Sequence, residues 1–227
     1  MSAITERITT NLAEVRALIA ATCRQHGRDP QGVRLIAVTK EQTPDVLAPL
    51  IAAGAVDLGE NRVDHLETMH VAAPIGAHFH FIGRVQGRQL AKLAPFCVAI
   101  HSLCDADHIT RLGRACAESG RRIEVFIQVN VADDAAKAGV PIGDLAERID
   151  LARRTAGLDL VGLMTMAPLA PQGGQADDST IRRCFAALRG LAEQHHLPRL
   201  SMGMSEDFLH AVAEGATDLR IGSRLFR

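Results

Sequence analysis

Tryptophan and tyrosine are absent from the 227 residues, and aromatic residues total only 3%. That leaves few of the flat side chains on which proteins stack single-stranded nucleic acid. With a formal net charge of −1 and no basic run, nucleic acid is excluded as an expected partner. Cysteine is sparse: Cys23, Cys97, Cys104, Cys116 and Cys184 include no C-x-x-C pair. An odd set of this kind points to unpaired thiols in a reducing cytoplasm, not to a disulfide framework or a thiolate metal site. The ten histidines include His78/His80 and His195/His196, but neither pair lies in the spaced set of carboxylates or thiols that metal sites use. No apolar run is long enough to span a bilayer, and the first residues lack the charged-then-apolar pattern of a leader. The expectation is a cytoplasmic protein with no membrane segment and no metal.

What is present is an ordinary globular composition, 47% hydrophobic and 22% charged, enough to bury a large core. Residues 1–26 read as an amphipathic helix, with Ile4, Ile8, Leu12, Val15, Leu18 and Ile19 at helical spacing and Gly27 as a stop. Eight β-rich runs follow, at 33–40, 56–61, 78–83, 97–102, 124–130, 160–166, 199–203 and 218–226. Several are continuously apolar, as parallel strands covered on both faces are. Helical stretches lie between them at 44–53, 62–70, 86–93, 105–119, 141–155, 178–196 and 205–214. This alternation predicts an α/β fold, a single (β/α)8 TIM-type barrel over residues 1–227. Its N-terminal helix packs outside as the eighth outer element, since no helix is expected after the last strand. A doubly wound open sheet is the rival. The stretch APLAPQGGQADD, 167–178, reads as a loop after the sixth strand, either a surface loop or a lid.

In a barrel, strand C-termini gather at one mouth, and the chemistry-bearing residues fall there. Lys40 closes the first strand in LIAVTK; an amine partly desolvated by neighbouring Ile36 and Val38 can attack an aldehyde. LSMGMSEDF places Ser205 at a helix start as the expected N-cap, where backbone N–H groups and the hydroxyl suit an anion. DLRIGSRLF places Arg220, Gly222 and Ser223 at the end of the eighth strand, where glycine admits close backbone approach and serine adds a donor. Barrels often hold phosphate after the seventh and eighth strands. Each residue also has a plain reading: a solvated lysine, a helix cap, an arginine in an ion pair. Together they describe a site for an aldehyde-bearing phosphate ester, of which pyridoxal phosphate is one.

The motifs AVTK, GEN, HFIG, Q-V-N, K-A-G, GLMTM, LSMGMSEDF and RIGSRLF, in this order from about Val33 to Phe226, resemble the pyridoxal phosphate homeostasis protein family, also called the YggS/PROSC family. The resemblance implies the barrel of the alanine racemase N-terminal domain (fold type III), without that enzyme's β-rich second domain. It implies pyridoxal 5'-phosphate (PLP) as cofactor, held as an imine by Lys40. Ser205, Gly222 and Ser223 would hold its phosphate, with Ser201 and Met202 on the same wall. Arg220 would face the pyridine nitrogen, and Asn61 and His80 would lie near the ring. Where the family pattern has an aromatic after GEN this chain has Arg62, and Arg88 and Gln89 replace a usual asparagine–lysine pair.

The implied function is a non-catalytic PLP carrier in vitamin B6 and amino-acid homeostasis, with PLP-dependent apo-enzymes as partners; a one-domain barrel suggests a monomer. The alternative is an amino-acid racemase or decarboxylase. Related racemases use a tyrosine opposite the lysine, and this chain has none; His80, His101 or a cysteine would have to take that role. Lys137, in DDAAKAG, reads as a loop charge or as a second amine assisting Lys40.

Overall fold

The computed structural model describes residues 2–131, 138–168 and 176–227. Helix α1 (Ala3–Gln25) is capped by the Ser2 hydroxyl accepting from Thr5 N–H, and buries Ile8, Leu12, Val15, Ile19 and Cys23 on one stripe. The 3.6-residue period of these apolar positions makes a single sticky face. Eight strands follow: β1 (Arg34–Val38), β2 (Asp57–Glu60), β3 (His78–Phe81), β4 (Cys97–Leu103), β5 (Ile123–Gln128), β6 (Leu158–Met164), β7 (Arg199–Ser201) and β8 (Asp218–Ile221). Between them run α2 (Leu47–Ala52), α3 (Val63–Ala72), α4 (Leu90–Leu93), α5 (Ala106–Glu118), α6 (Leu145–Arg154), α7 (Asp178–Gln194) and α8 (Phe208–Ala213). The strands close in chain order, with β1 parallel to β8 in the register Arg34↔Asp218 through Ala37↔Ile221. That pairing excludes the open-sheet rival.

Two expectations are corrected. A short helix, α9 (Ser223–Phe226), does follow the last strand; one turn is too brief to leave a periodic signal in sequence. Helix α8 starts at Phe208, with Asp207 at its N-cap, and not at Ser205.

Strand alternation sends one set of side chains into the helix layer and the other into the lumen. The first set, including Leu58, Phe79, Phe81, Ile100, Val125 and Leu219, forms one core with the helices. The lumen is largely polar. Its floor, at the strand N-termini, is an ion network: Arg199 pairs with Glu124 at 2.6 Å and with Asp218, and Arg34 reaches Glu124 at 3.3 Å. The Arg199 guanidinium also lies 5.0 Å over the Phe126 ring. This charged plug closes the lower end and leaves the C-terminal mouth as the open one.

Candidate functional site

The mouth holds a cavity of about 790 Å³, with Lys40, Asn61, Ser205, Arg220, Gly222 and Ser223 among its lining residues. Lys40 lies two residues beyond β1, its side chain 45% exposed and its Nζ 3.8 Å from Glu41 Oε1. On the far side of the β1–β8 seam, Ser205 Oγ accepts from Gly222 N–H at 3.2 Å. The serine hydrogen therefore remains available to an anion. Ser205 does not cap α8. That loop is closed instead by Asp207, whose carboxylate accepts from Met204 N–H at 2.5 Å. Burial pushes the Asp207 carboxyl up, opposed by the Met204 bond and the charges of Arg220 and His210.

Asn61 and Gly83 approach through their backbones. A Cβ on Gly83 would stand 2.0 Å from the Asn61 carbonyl oxygen, a contact only glycine tolerates. The GEN and HFIG motifs thus meet as neighbouring strand ends.

Arg220 forms part of the cavity floor. Its Nη1 donates to Ser201 Oγ at 2.6 Å and its Nη2 to the Thr165 carbonyl at 3.0 Å. Burial lowers its pKa to about 10, against the pull of Asp207 and Asp218, so it stays cationic at neutral pH.

His80, Ser201 and Met202 are not in the cavity wall. All three are fully buried. Met202 belongs to the helix-side core. His80 and Ser201 belong to a hydrogen-bonded chain down the lumen: Ser201 Oγ to His101 Nδ1 (2.7 Å), His101 Nε2 to His80 Nδ1 (3.0 Å), and His80 Nε2 to Asp57 Oδ1 (3.0 Å). A carboxylate only accepts, so His80 Nε2 carries a hydrogen. With one proton per ring, His101 donates to His80, Ser201 donates to His101, and Arg220 donates to Ser201. The chain is unidirectional from Arg220 to Asp57. Burial, and then the surrounding positive charges of Arg220, Arg199 and Arg34, hold the His101 pKa far below its usual range. Burial opposes ionisation of Asp57, but the His80 bond and the nearby positive charges outweigh it and its pKa falls.

A second polar cluster lies beside Lys40. Glu60 Oε1 accepts from Thr39 Oγ1 at 2.5 Å, Glu60 Oε2 lies 2.7 Å from His65 Nδ1, and His65 Nε2 lies 3.0 Å from the Gln42 carbonyl. Sequence reasoning passed over Glu60 and His65, although Glu60 is the middle letter of GEN. It also passed over Asp57, for which a charged residue at a strand start was the available signal. Lys137 and most of the 167–178 loop lie outside the described residues. No helix among the described residues is long and apolar enough to cross a membrane, and no metal-type cluster occurs among them.

Comparison with known proteins agrees with this geometry. The family described as alanine racemase, N-terminal domain, matches residues 8–227. The pyridoxal phosphate homeostasis protein of Escherichia coli K12 is 32% identical, covering 96% of this chain and 95% of that protein. Its Pseudomonas aeruginosa counterpart is 34% identical, covering 96% and 94%. The structure of PipY from Synechococcus elongatus PCC7942 with PLP bound superposes with a TM-score of 0.82 at 30% identity, covering 97% of this chain and all of that one. Clostridium difficile alanine racemase shares the fold, with a TM-score of 0.76 at 10% identity, over 97% of this chain and 56% of that one. The chain belongs to the pyridoxal phosphate homeostasis protein family, built on the alanine racemase N-terminal domain.

Proposed function

We propose that this chain is a non-catalytic PLP-binding protein that stores and releases the vitamer, contributing to vitamin B6 and amino-acid homeostasis. One observation carries the reading: an amine, Lys40, and a hydroxyl–amide cradle, Ser205, Gly222 and Ser223, face one cavity across the β1–β8 seam, with Arg220 between them. The donor set fits PLP. The cradle would offer neutral donors to its phosphate, and Lys40 an amine to its aldehyde, a carbonyl that condenses with amines with loss of water. PLP-bound PipY supports the same ligand.

Arg220 is the residue for the pyridine nitrogen. A permanent cation there disfavours protonation of that nitrogen and weakens the ring as an electron sink, which suits holding over turnover. Asn61 lines the ring side of the cavity. His80 and Ser201 act indirectly, by orienting Arg220, and Met202 packs the supporting wall. His80 and His101, which would replace the missing tyrosine in a racemase, are buried in the lumen chain, which favours the carrier over the enzyme. As a carrier it would act as a monomer in the cytoplasm and pass PLP to apo-enzymes.

The test is a visible absorption spectrum of wild type and Lys40→Ala after incubation with PLP, then borohydride reduction and peptide mapping. A yellow wild type labelled at Lys40 beside a colourless variant is expected; label elsewhere overturns the binding reading. Incubation with single L-amino acids and chiral analysis decides the rest, since turnover well above that of free PLP overturns the carrier.

A further inference from the structure

We infer that Glu60 and His65 form a clamp that positions the Lys40 amine, by fastening both ends of the four-residue segment that carries it. The inference rests on Lys40 being the PLP-binding amine. Lys40 and Glu41 stand between Thr39 and Gln42, and the pair grips those two flanking residues. Thr39 is tied by its side chain to Glu60 Oε1, and Gln42 by its carbonyl to His65 Nε2. The segment's own backbone closes the turn, with Gln42 N–H donating to Thr39 O at 2.8 Å and Thr39 N–H to Gly59 O at 3.0 Å. A lysine with four rotatable bonds reaches a defined point only if its backbone is fixed.

The protons of the clamp follow from its partners. The Gln42 carbonyl only accepts, so His65 Nε2 carries a hydrogen. Between His65 Nδ1 and Glu60 Oε2, 2.7 Å apart, lies one more. The pair is therefore net neutral, as imidazolium–carboxylate or as imidazole–carboxylic acid, and either form keeps every bond. Glu60 is fully buried at the end of β2. A buried carboxylate is weak evidence for stability, because an apolar residue of similar size would pack as well. Its hold on Thr39 and, through His65, on Gln42 accounts for its presence.

Glutamine at position 60 can reproduce both bonds, accepting from Thr39 through Oε1 and donating to His65 Nδ1 through its amide. Leucine can do neither. In PLP-free protein, amide hydrogen exchange of residues 39–43 should be about tenfold faster in Glu60→Leu and in His65→Leu, with the rest of the barrel unchanged. Both variants should bind PLP about tenfold more weakly by absorption titration, and Glu60→Gln should match wild type in both measurements. Wild-type exchange and affinity in the leucine variants overturns the clamp. So does exchange that quickens equally in β5 and β6, or a glutamine variant as impaired as leucine. The two readings fail separately. No borohydride adduct on wild-type Lys40 overturns the reading of function; normal trapping in wild type and in both leucine variants, with normal exchange, overturns the clamp.

Discussion

Gly203 carries the chain from β7 into the Ser205 loop at φ +94°, where only glycine is unstrained. A Cβ there would lie 2.6 Å from Ala211 Cβ and 2.9 Å from Leu219 Cδ2. Gly203→Ala therefore combines left-handed backbone strain with overpacking against α8 and β8. A loss of roughly 2–4 kcal/mol in urea unfolding is expected, with weaker PLP binding, since Ser205 is two residues on. Lys40→Ala is the opposite case. The side chain is half exposed and anchors nothing in the core, so stability should change by less than about 0.5 kcal/mol while borohydride labelling disappears. Lys40 and the SMGMS loop were legible in sequence because the chemistry of the residue type announced them. The reason for Gly203 was not, because Ala211 and Leu219 reach it only through tertiary packing.

At the level of elements, the strand runs were legible because each is a continuous apolar stretch between turn signals. Depth inside the barrel was not. In HFHF, alternation places His78 and His80 on one face, but whether His80 reaches the mouth or stays in the lumen depends on register, here His80 opposite Gly59 and Ala99. That register seats it between Asp57 and His101. The β3–β4 histidine pair also gives a pH dependence. His101 is faced by His80, Ser201 and the stacked Phe126 ring, and feels the charges of Arg220, Arg199 and Arg34. Folding depresses its pKa well below 6.5. Below that value the unfolded chain binds a proton that the folded chain refuses, so stability falls as pH falls. It is fully present above about pH 6.5, and the slope below approaches 1.4 kcal/mol per pH unit. Urea unfolding of wild type and His101→Gln from pH 7.5 to 5 checks this: the difference between the two curves should shrink on acidification. A constant difference would mean that His101 titrates alike in both states.

For the molecule as a whole, the question is what holds the last βα unit, which carries the phosphate cradle, against the first strand. The answer is α1. Its amphipathic stripe was legible from the period of Ile8, Leu12, Val15 and Ile19, but its partners were not, because they lie some two hundred residues away. Asn11 Nδ2 donates to the carbonyls of Leu225 and Arg227 at 3.2 and 2.9 Å, and Arg28, just beyond the helix, donates to those of Val212 and Ala216 at 2.5 and 2.7 Å. The first helix thus holds the C-terminal carbonyls of α9 through Asn11, and the segment that follows it holds the end of α8 and the turn beyond through Arg28. Its four buried aliphatic side chains, at about 1.5–3 kcal/mol each, represent roughly 6–12 kcal/mol as an upper bound. That is comparable to the entire stability of a domain, about 5–15 kcal/mol. A chain beginning at residue 27 should therefore fail to fold, eluting as an aggregate with reduced helical circular dichroism and no PLP colour. Asn11→Ala, which keeps the apolar stripe, should fold and bind PLP only a few-fold more weakly, by loosening α9 beneath Ser223. A folded, PLP-binding barrel without α1 would show that the seam between β8 and β1 holds itself, and that the helix is an ornament of the fold rather than its closing element.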